Sequence, residues 1–365
     1  MVSFTPTDDQ KLLIDTIRKY AVNDVQPSAH EHDEASEPNA SVIDVGWKMG
    51  IVPSSIPEEL GGFGEMSAVT NAMAAEELAF GELAVAMHVL APSLFAYPIV
   101  LFGTAEQRES LLEQFLEEDL PPATAALLEP SITFDPNAMK TSVSTGGDAV
   151  VISGTKAFVP LAEDAKMMLV YARNSETGTT EAYIVDTDTE GVQIEKREKL
   201  LGLRALPTYR VNFNEVRLPA SSRLGGAVGI DFQVIINRMN VGLASMAVGV
   251  ARASYEYAKD YAKQREQFGK PIAQNQAIAF LLADMAVEID SARLMAWEAA
   301  SLLDSGADAT QSAYLARQFA NDMVLMVTDG GVQTLGGYGF IREYPAERWL
   351  RNGRGFPAFD GLAIV

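Results

Sequence analysis

The chain has 365 residues, 48% of them hydrophobic, no cysteine, and a formal net charge of −21 from 28 basic and 49 acidic side chains. Such a length supports a large core and two or three domains. Without Cys there is no disulfide, thiolate nucleophile or Cys-ligated zinc, as suits a reducing cytoplasm, and the acidic balance opposes a phosphate backbone, so nucleic acid is not an expected partner.

Helical periodicity runs through the first 120 residues. In "TPTDDQKLLIDTIRKYAV", Thr7 and Asp8 are capping candidates ahead of Leu12, Ile14 and Ile17, and Thr104 precedes Leu111, Leu112 and Phe115 in the same way. His30 and His32 alternate with acids in "AHEHDEASEP", which reads as a solvated connector and not as a metal site. The apolar stretch Leu83 to Phe102 is interrupted by His88, Pro92, Ser93 and Pro98, which predicts two short buried helices and no membrane span. The opening "MVSFTPTDDQ" lacks a basic region followed by an apolar run, so no secretory signal is expected.

From 121 to 222 the pattern is strand-like. "AVVISG" and "MMLVYAR" are β-type runs, Tyr209, Val211 and Phe213 alternate with polar residues, and Gly146-Gly147 reads as a hairpin turn. From 223 to 365 long helices return. Leu281, Met285, Ile289, Ala292 and Ala296 share a face, and the small residues between Gly242 and Ala251 predict close helix packing. The reading is therefore mainly α with a middle, mostly antiparallel β-domain: helices over 1–120, sheet over 121–222, helices over 223–365.

No GxGxxG after a strand, no phosphate loop and no Ser-His-Asp set is present. Two stretches hold chemistry without a named motif. Arg265 lies where a helix meets Phe268-Gly269-Lys270-Pro271, beside a second helix beginning near Gln274 and Gln276; this is either an ordinary helical turn or a site where a guanidinium and free N–H groups meet a pyrophosphate. Asp360 is the one charge in "FPAFDGLAIV", and it is either an Asp-Gly turn or a carboxylate tuned by apolar neighbours Phe356, Ala358 and Phe359.

"YAKQREQFGKPIAQNQAIAFLLADMA" and "VQTLGGYGFIREYPAERWLRNGR", with "IPEELGGFGEM" and "VLFGTAEQRESLLEQFLEED", resemble the acyl-CoA dehydrogenase family over nearly the whole chain. The resemblance implies an N-terminal helical domain, a middle antiparallel β-domain and a C-terminal four-helix bundle. It also implies tetrameric assembly, an acyl-CoA substrate, an electron-transfer flavoprotein or similar acceptor, and FAD, which takes a β-hydrogen as hydride at N5 after a carboxylate removes the α-proton. Carried over by position, Arg265, Phe268, Gln276, Gln333, Gly336 and Gly337 correspond to FAD contacts, largely to a neighbouring subunit's flavin, and Asp360 falls on the position of the family's catalytic Glu.

The departures are specific. "LEPSITFD" stands for "TEPGAGSD", so Leu128 replaces a Thr that bonds the flavin and Phe134 a Ser near its pyrophosphate. Phe158 and Pro160 replace the Trp and Thr of "WIT", Asn237 and Asn240 replace an Asp and an Arg, and Leu362 and Ile364 replace a Thr and a Gln. Groups that would hold the chain's own flavin are thus depleted, while those reaching a neighbour's remain. Three readings follow: a homotetrameric dehydrogenase, one subunit of a hetero-oligomer with a flavin-retaining homologue, or a non-catalytic assembly subunit that completes a partner's site.

Overall fold

The structure, a computed structural model, describes residues 4–146 and 149–365. Its first third holds α1 (Asp8–Tyr20), α2 (Gln26–Ala35), α3 (Ala40–Lys48), α4 (Ala68–Gly81), α5 (Leu83–Leu90), α6 (Ser93–Phe102) and α7 (Ala105–Leu112). Thr7 caps α1: its Oγ1 accepts from the Gln10 N–H at 3.2 Å, and Gln10 Oε1 accepts from the Thr7 N–H at 2.9 Å. Thr104 and Gln107 repeat the exchange on α7, so each cap satisfies two otherwise orphaned donors. Helices α5 and α6 are buried and bend by 42° at the break holding Pro92.

One expectation fails here. "AHEHDEASEP" is no solvated connector but most of α2, with His32 and Asp33 buried. His32 Nε2 accepts from the Asn39 N–H at 3.1 Å, and Asp33 pairs with Arg351 at 2.7 Å and Arg342 at 3.1 Å. The cations that draw this acid inward, Arg204 at 3.6 Å among them, lie far off in the chain, beyond the reach of local pattern.

The sheet is built from β1 (Ala123–Ala126), β2 (Ser142–Gly146), β3 (Ala149–Pro160), β4 (Met167–Asn174), β5 (Thr180–Asp186), β6 (Val192–Arg197) and β7 (Thr208–Pro219), in the order β1-β4-β2-β3-β7-β6 with β5 also on β4. Four pairings are antiparallel, but β1 and β2 both run parallel to β4, so the sheet is mixed. Tyr209, Val211 and Phe213 all point into the core. Gly146 pairs with Ala149, as the hairpin reading requires, while Gly147 lies outside the described residues.

The last third contains α8 (Phe232–Gln264), α9 (Gln276–Asp304), α10 (Thr310–Leu335) and α11 (Ala346–Gly355). Small residues on α8 permit backbone-to-backbone approach: a Cβ at Gly249 would come within 2.2 Å of the Glu76 carbonyl on α4, and one at Gly242 within 3.1 Å of the Ile364 nitrogen. Helix α8 is long and apolar enough to cross a membrane, yet 83% of its apolar window is buried inside the protein. It is a core helix, and both ends of it carry candidate chemistry.

Candidate active site

Asp360 and Gly361 form a turn just after the short helix Phe356–Ala358. Gly361 has φ +82°, and a Cβ there would stand 2.8 Å from that of Leu127, so glycine lets the turn press against the segment leaving β1. The turn and the tuned-carboxylate readings are therefore compatible. The turn places Asp360 in the wall of a cavity of about 490 Å³, together with Leu127, Phe134, Met239, Asn240 and Arg317. Among the described residues the Asp360 carboxylate has no hydrogen-bond or ion-pair partner. Burial raises its pKa above the usual 3.8, with the Arg317 guanidinium opposing the rise. Phe356 and Phe359 supply the apolar setting, their ring centroids 5.4 Å apart; Ala358 does not, because it faces solvent on the outer side of its short helix.

Arg317 was not singled out by the sequence reading. It is 3% exposed on α10 and donates to the Phe356 carbonyl and to Asn321 Oδ1, which ties the helix to the turn that bears Asp360. Burial lowers its pKa to about 10, against the favourable field of Asp360. The signal was present: a cation amid Ala313, Ala316 and Ala320, on a face too small and apolar to leave it in water. Arg317→Gln removes the charge that favours the Asp360 carboxylate, so the Asp360 titration observed by carboxyl NMR is expected to move to higher pH. An unmoved curve would show that the two groups do not communicate.

At the far end of α8, Arg265 occupies the C-cap; Glu266–Gln267 then pairs with Lys270–Pro271 across a turn in which Phe268 and Gly269 have φ of +54° and +77°. Arg265, Gln267, Gln333, Gly336, Gly337 and Tyr338 line an open pocket of about 400 Å³. A Cβ built at Gly336 or Gly337 would meet nothing within 4 Å, so bare backbone faces the opening. The Arg265 guanidinium lies 5.7 Å from the Tyr338 ring centroid and, among the described residues, has no hydrogen-bond or ion-pair partner. Phe268, 97% exposed, and Gln276, exposed at the first position of α9, lie on the adjoining hairpin and helix start and not in the pocket wall. A guanidinium and glycine backbone opening outward suit a phosphate group from outside the chain.

Leu128 and Pro160 are buried and Phe158 is half-buried, none of them in the wall of the Asp360 cavity or the Arg265 pocket, and Leu128 follows the Leu127 that packs on the Asp360 turn. The Leu128 carbonyl accepts from Ala157 at 2.9 Å, the Phe158 N–H donates to Glu198 Oε2 at 3.0 Å, and the Pro160 carbonyl accepts from Thr124 Oγ1 at 2.7 Å. Leu128 has no polar side-chain atom and Pro160 no N–H, and the Phe158 N–H is taken by Glu198, so this stretch holds no free donor. Behind it the fully buried Lys156 donates to the Leu127 carbonyl at 2.8 Å and to Glu129 Oε1 at 3.3 Å.

Family models for the N-terminal, middle and C-terminal domains of acyl-CoA dehydrogenase match residues 7–119, 124–216 and 232–363. The chain belongs to the acyl-CoA dehydrogenase family. It is 34% identical over 366 residues to the mitochondrial short-chain specific acyl-CoA dehydrogenase of Bos taurus, covering 98% of this chain and 88% of that one. It is 35% identical over 347 residues to subunit CarC of the caffeyl-CoA reductase-Etf complex of Acetobacterium woodii, covering 92% and 89%. The structure of butyryl-CoA dehydrogenase from Megasphaera elsdenii superposes with a TM-score of 0.89 at 30% identity, covering 98% of this chain and 96% of that one. A glutaryl-CoA dehydrogenase of the same fold carries FADH2 in its structure, and CarC is a subunit of a complex that contains Etf.

The acyl-CoA dehydrogenase fold places the two polar regions far apart within one chain. Asn240 lines the cavity and Tyr261 the open pocket, and a rise of 1.5 Å per residue along α8 separates them by roughly 30 Å. One subunit therefore presents its Arg265 pocket away from its own Asp360. The guanidinium and glycine backbone of the Arg265 pocket suit the pyrophosphate of FAD, whereas Leu128, Phe158 and Pro160 offer a flavin ring no side-chain donor.

Proposed function

We propose that this chain is a flavoprotein subunit for α,β-dehydrogenation of an acyl-CoA thioester in the cytoplasm, with Asp360 as the base and electron-transfer flavoprotein or a similar protein as acceptor. The observation that supports it is the unpartnered Asp360 carboxylate in the wall of a cavity, shifted upward by burial. Arg265, Gln333, Gly336 and Gly337 would hold the pyrophosphate side of a neighbouring subunit's FAD, with Phe268 and Gln276 beside them, while Leu128, Phe158 and Pro160 would flank the chain's own ring site. FAD, when bound, supplies the acceptor for the β-hydrogen, taken as hydride.

The chain's own contribution is the proton. The α-C–H bond breaks with its proton going to an Asp360 oxygen and its electron pair staying at the α-carbon, where it would become the new Cα–Cβ double bond, and burial favours the neutral acid that results. Arg317 holds the Phe356 carbonyl, fixing the turn from which Asp360 projects. Phe356 and Phe359 limit water around the carboxylate.

Two assemblies fit this mechanism, a homotetramer and a hetero-oligomer with a second, flavin-retaining homologue. The lack of side-chain donors at Leu128, Phe158 and Pro160 favours the second, and in its limiting form this chain only completes a partner's site. Purified alone, it is expected to keep less than one FAD per protomer through gel filtration. Each missing bond to the neutral ring is worth about 0.5–1.5 kcal/mol, and the one that Phe134 cannot make to the charged pyrophosphate about 1.5–3 kcal/mol, so together they weaken retention by roughly a hundredfold or more. Stoichiometric FAD on the isolated chain would instead establish a self-sufficient homomer.

A further inference from the structure

Lys156 projects from β3 and is 0% exposed. Its ammonium carries three protons and meets three acceptors: the Leu127 carbonyl at 2.8 Å, Met139 Sδ at 3.2 Å and Glu129 Oε1 at 3.3 Å. All three belong to the segment 127–139, which joins β1 to β2. Glu129 in turn accepts from the N–H groups of Lys140 and Thr141, so one buried pair clasps both ends of that segment.

The clasped segment walls the Asp360 cavity. Leu127, Phe134, Asp135, Pro136 and Asn137 line it, while Ile132 and Thr133 stand exposed. Leu127 also meets the turn itself, since a Cβ at Gly361 would lie 2.8 Å from its own. The path from Lys156 to Asp360 is therefore short and packed throughout: ammonium, Leu127 carbonyl, Leu127 side chain, Gly361, Asp360. A buried ion pair contributes little to stability that two apolar side chains of similar volume could not supply. Three directed hydrogen bonds from one ammonium, all satisfied, fix geometry more narrowly than apolar packing does.

Resting on the reading of Asp360 as the base, we propose that Lys156 is a positioning residue for it: its ammonium fixes the 127–139 segment against the Asp360 turn, and so sets where the carboxylate stands and how little water reaches it. Lys156→Met combined with Glu129→Gln removes the clasp without stranding a charge. Leu127→Ala keeps the clasp and removes the side chain that transmits it. Both are made in the assembled, flavin-bearing protein. In each the turn gains water, so the Asp360 titration followed by carboxyl NMR is expected to move down toward the ordinary 3.8. Exchange of the α-proton of a bound saturated thioester with deuterated water should slow by about a hundredfold in the clasp variant and about tenfold in Leu127→Ala, with thioester affinity within about tenfold. Joined in one chain, the three substitutions should slow exchange little more than the clasp variant alone, because they break one path. A wild-type titration and a wild-type rate in the folded clasp variant would overturn the proposal; should that variant not fold, the same result in Leu127→Ala would do so. If the wild-type protein itself shows no exchange, the base reading fails, and the NMR curves still decide the clasp: a downward shift supports it and an unmoved curve overturns it.

Discussion

Asp360→Asn is expected to slow α-proton exchange of a bound saturated thioester with deuterated water by about a thousandfold, while thioester affinity stays within about tenfold. Asn keeps the size and polarity of the side chain and removes only its capacity to take a proton. A base acts mainly in the transition state, so the loss belongs in the rate and not in binding. Exchange reports the proton step separately from hydride transfer, and it is measured on the assembled, flavin-bearing protein. Wild-type exchange in the Asn variant would move the base to another chain and leave Asp360 as a turn residue.

The pH dependence carries the same logic. Burial raises the Asp360 pKa above 3.8, with Arg317 opposing, so the active carboxylate accumulates as pH rises through that elevated value, and exchange should rise with it. For stability the sign is opposite. The unfolded chain ionises Asp360 first, so this group disfavours folding progressively as pH climbs from its unfolded to its folded pKa. A carboxylate that destabilises its own fold while lining a cavity is the pattern expected of a functional group.

The order of helices, sheet and helices was legible because it is written in local periodicity, and Thr7, Thr104, Pro92 and the small residues of α8 each act within a turn or two of themselves. The parallel pairings of β1 and β2 with β4 were not legible, since register across a sheet is decided by partners distant in sequence. His32 and Asp33 were misread for the same reason: a polar-looking stretch is drawn inside by Arg351 and Arg342. At the candidate site, Asp360 and the Arg265 turn stood out as charges beside breaks. Arg317, Lys156 and Glu129 did not, because their significance lies in burial and in pairing across elements, which no single segment displays.

Lys156→Met is expected to destabilise the protein by about 3–5 kcal/mol, because it leaves the Glu129 carboxylate buried without its cation. Glu129 is 4% exposed, and although burial would raise its pKa, Lys156 and the N–H groups of Lys140 and Thr141 hold it below the usual carboxylate value. Its oxygens accept those N–H groups at 2.8 and 2.7 Å, so it cannot turn toward water without releasing the backbone there. The substitution also frees the Leu127 carbonyl, loosening the segment against which the Asp360 turn packs. A second substitution, Glu129→Leu, should recover part of the loss, since removing both charges costs less than stranding one. Burial lowers the Lys156 pKa from 10.5 to about 8, even with Glu129 favouring the charged form. Between those values the unfolded chain holds a proton that the folded chain has released, so this group makes stability rise with pH across that window, and Lys156→Met should abolish the rise. Urea midpoints across the same pH range measure both effects. A loss under about 1 kcal/mol would mean that Glu129 is not buried as a charge, and would sever this pair from the wall of the site.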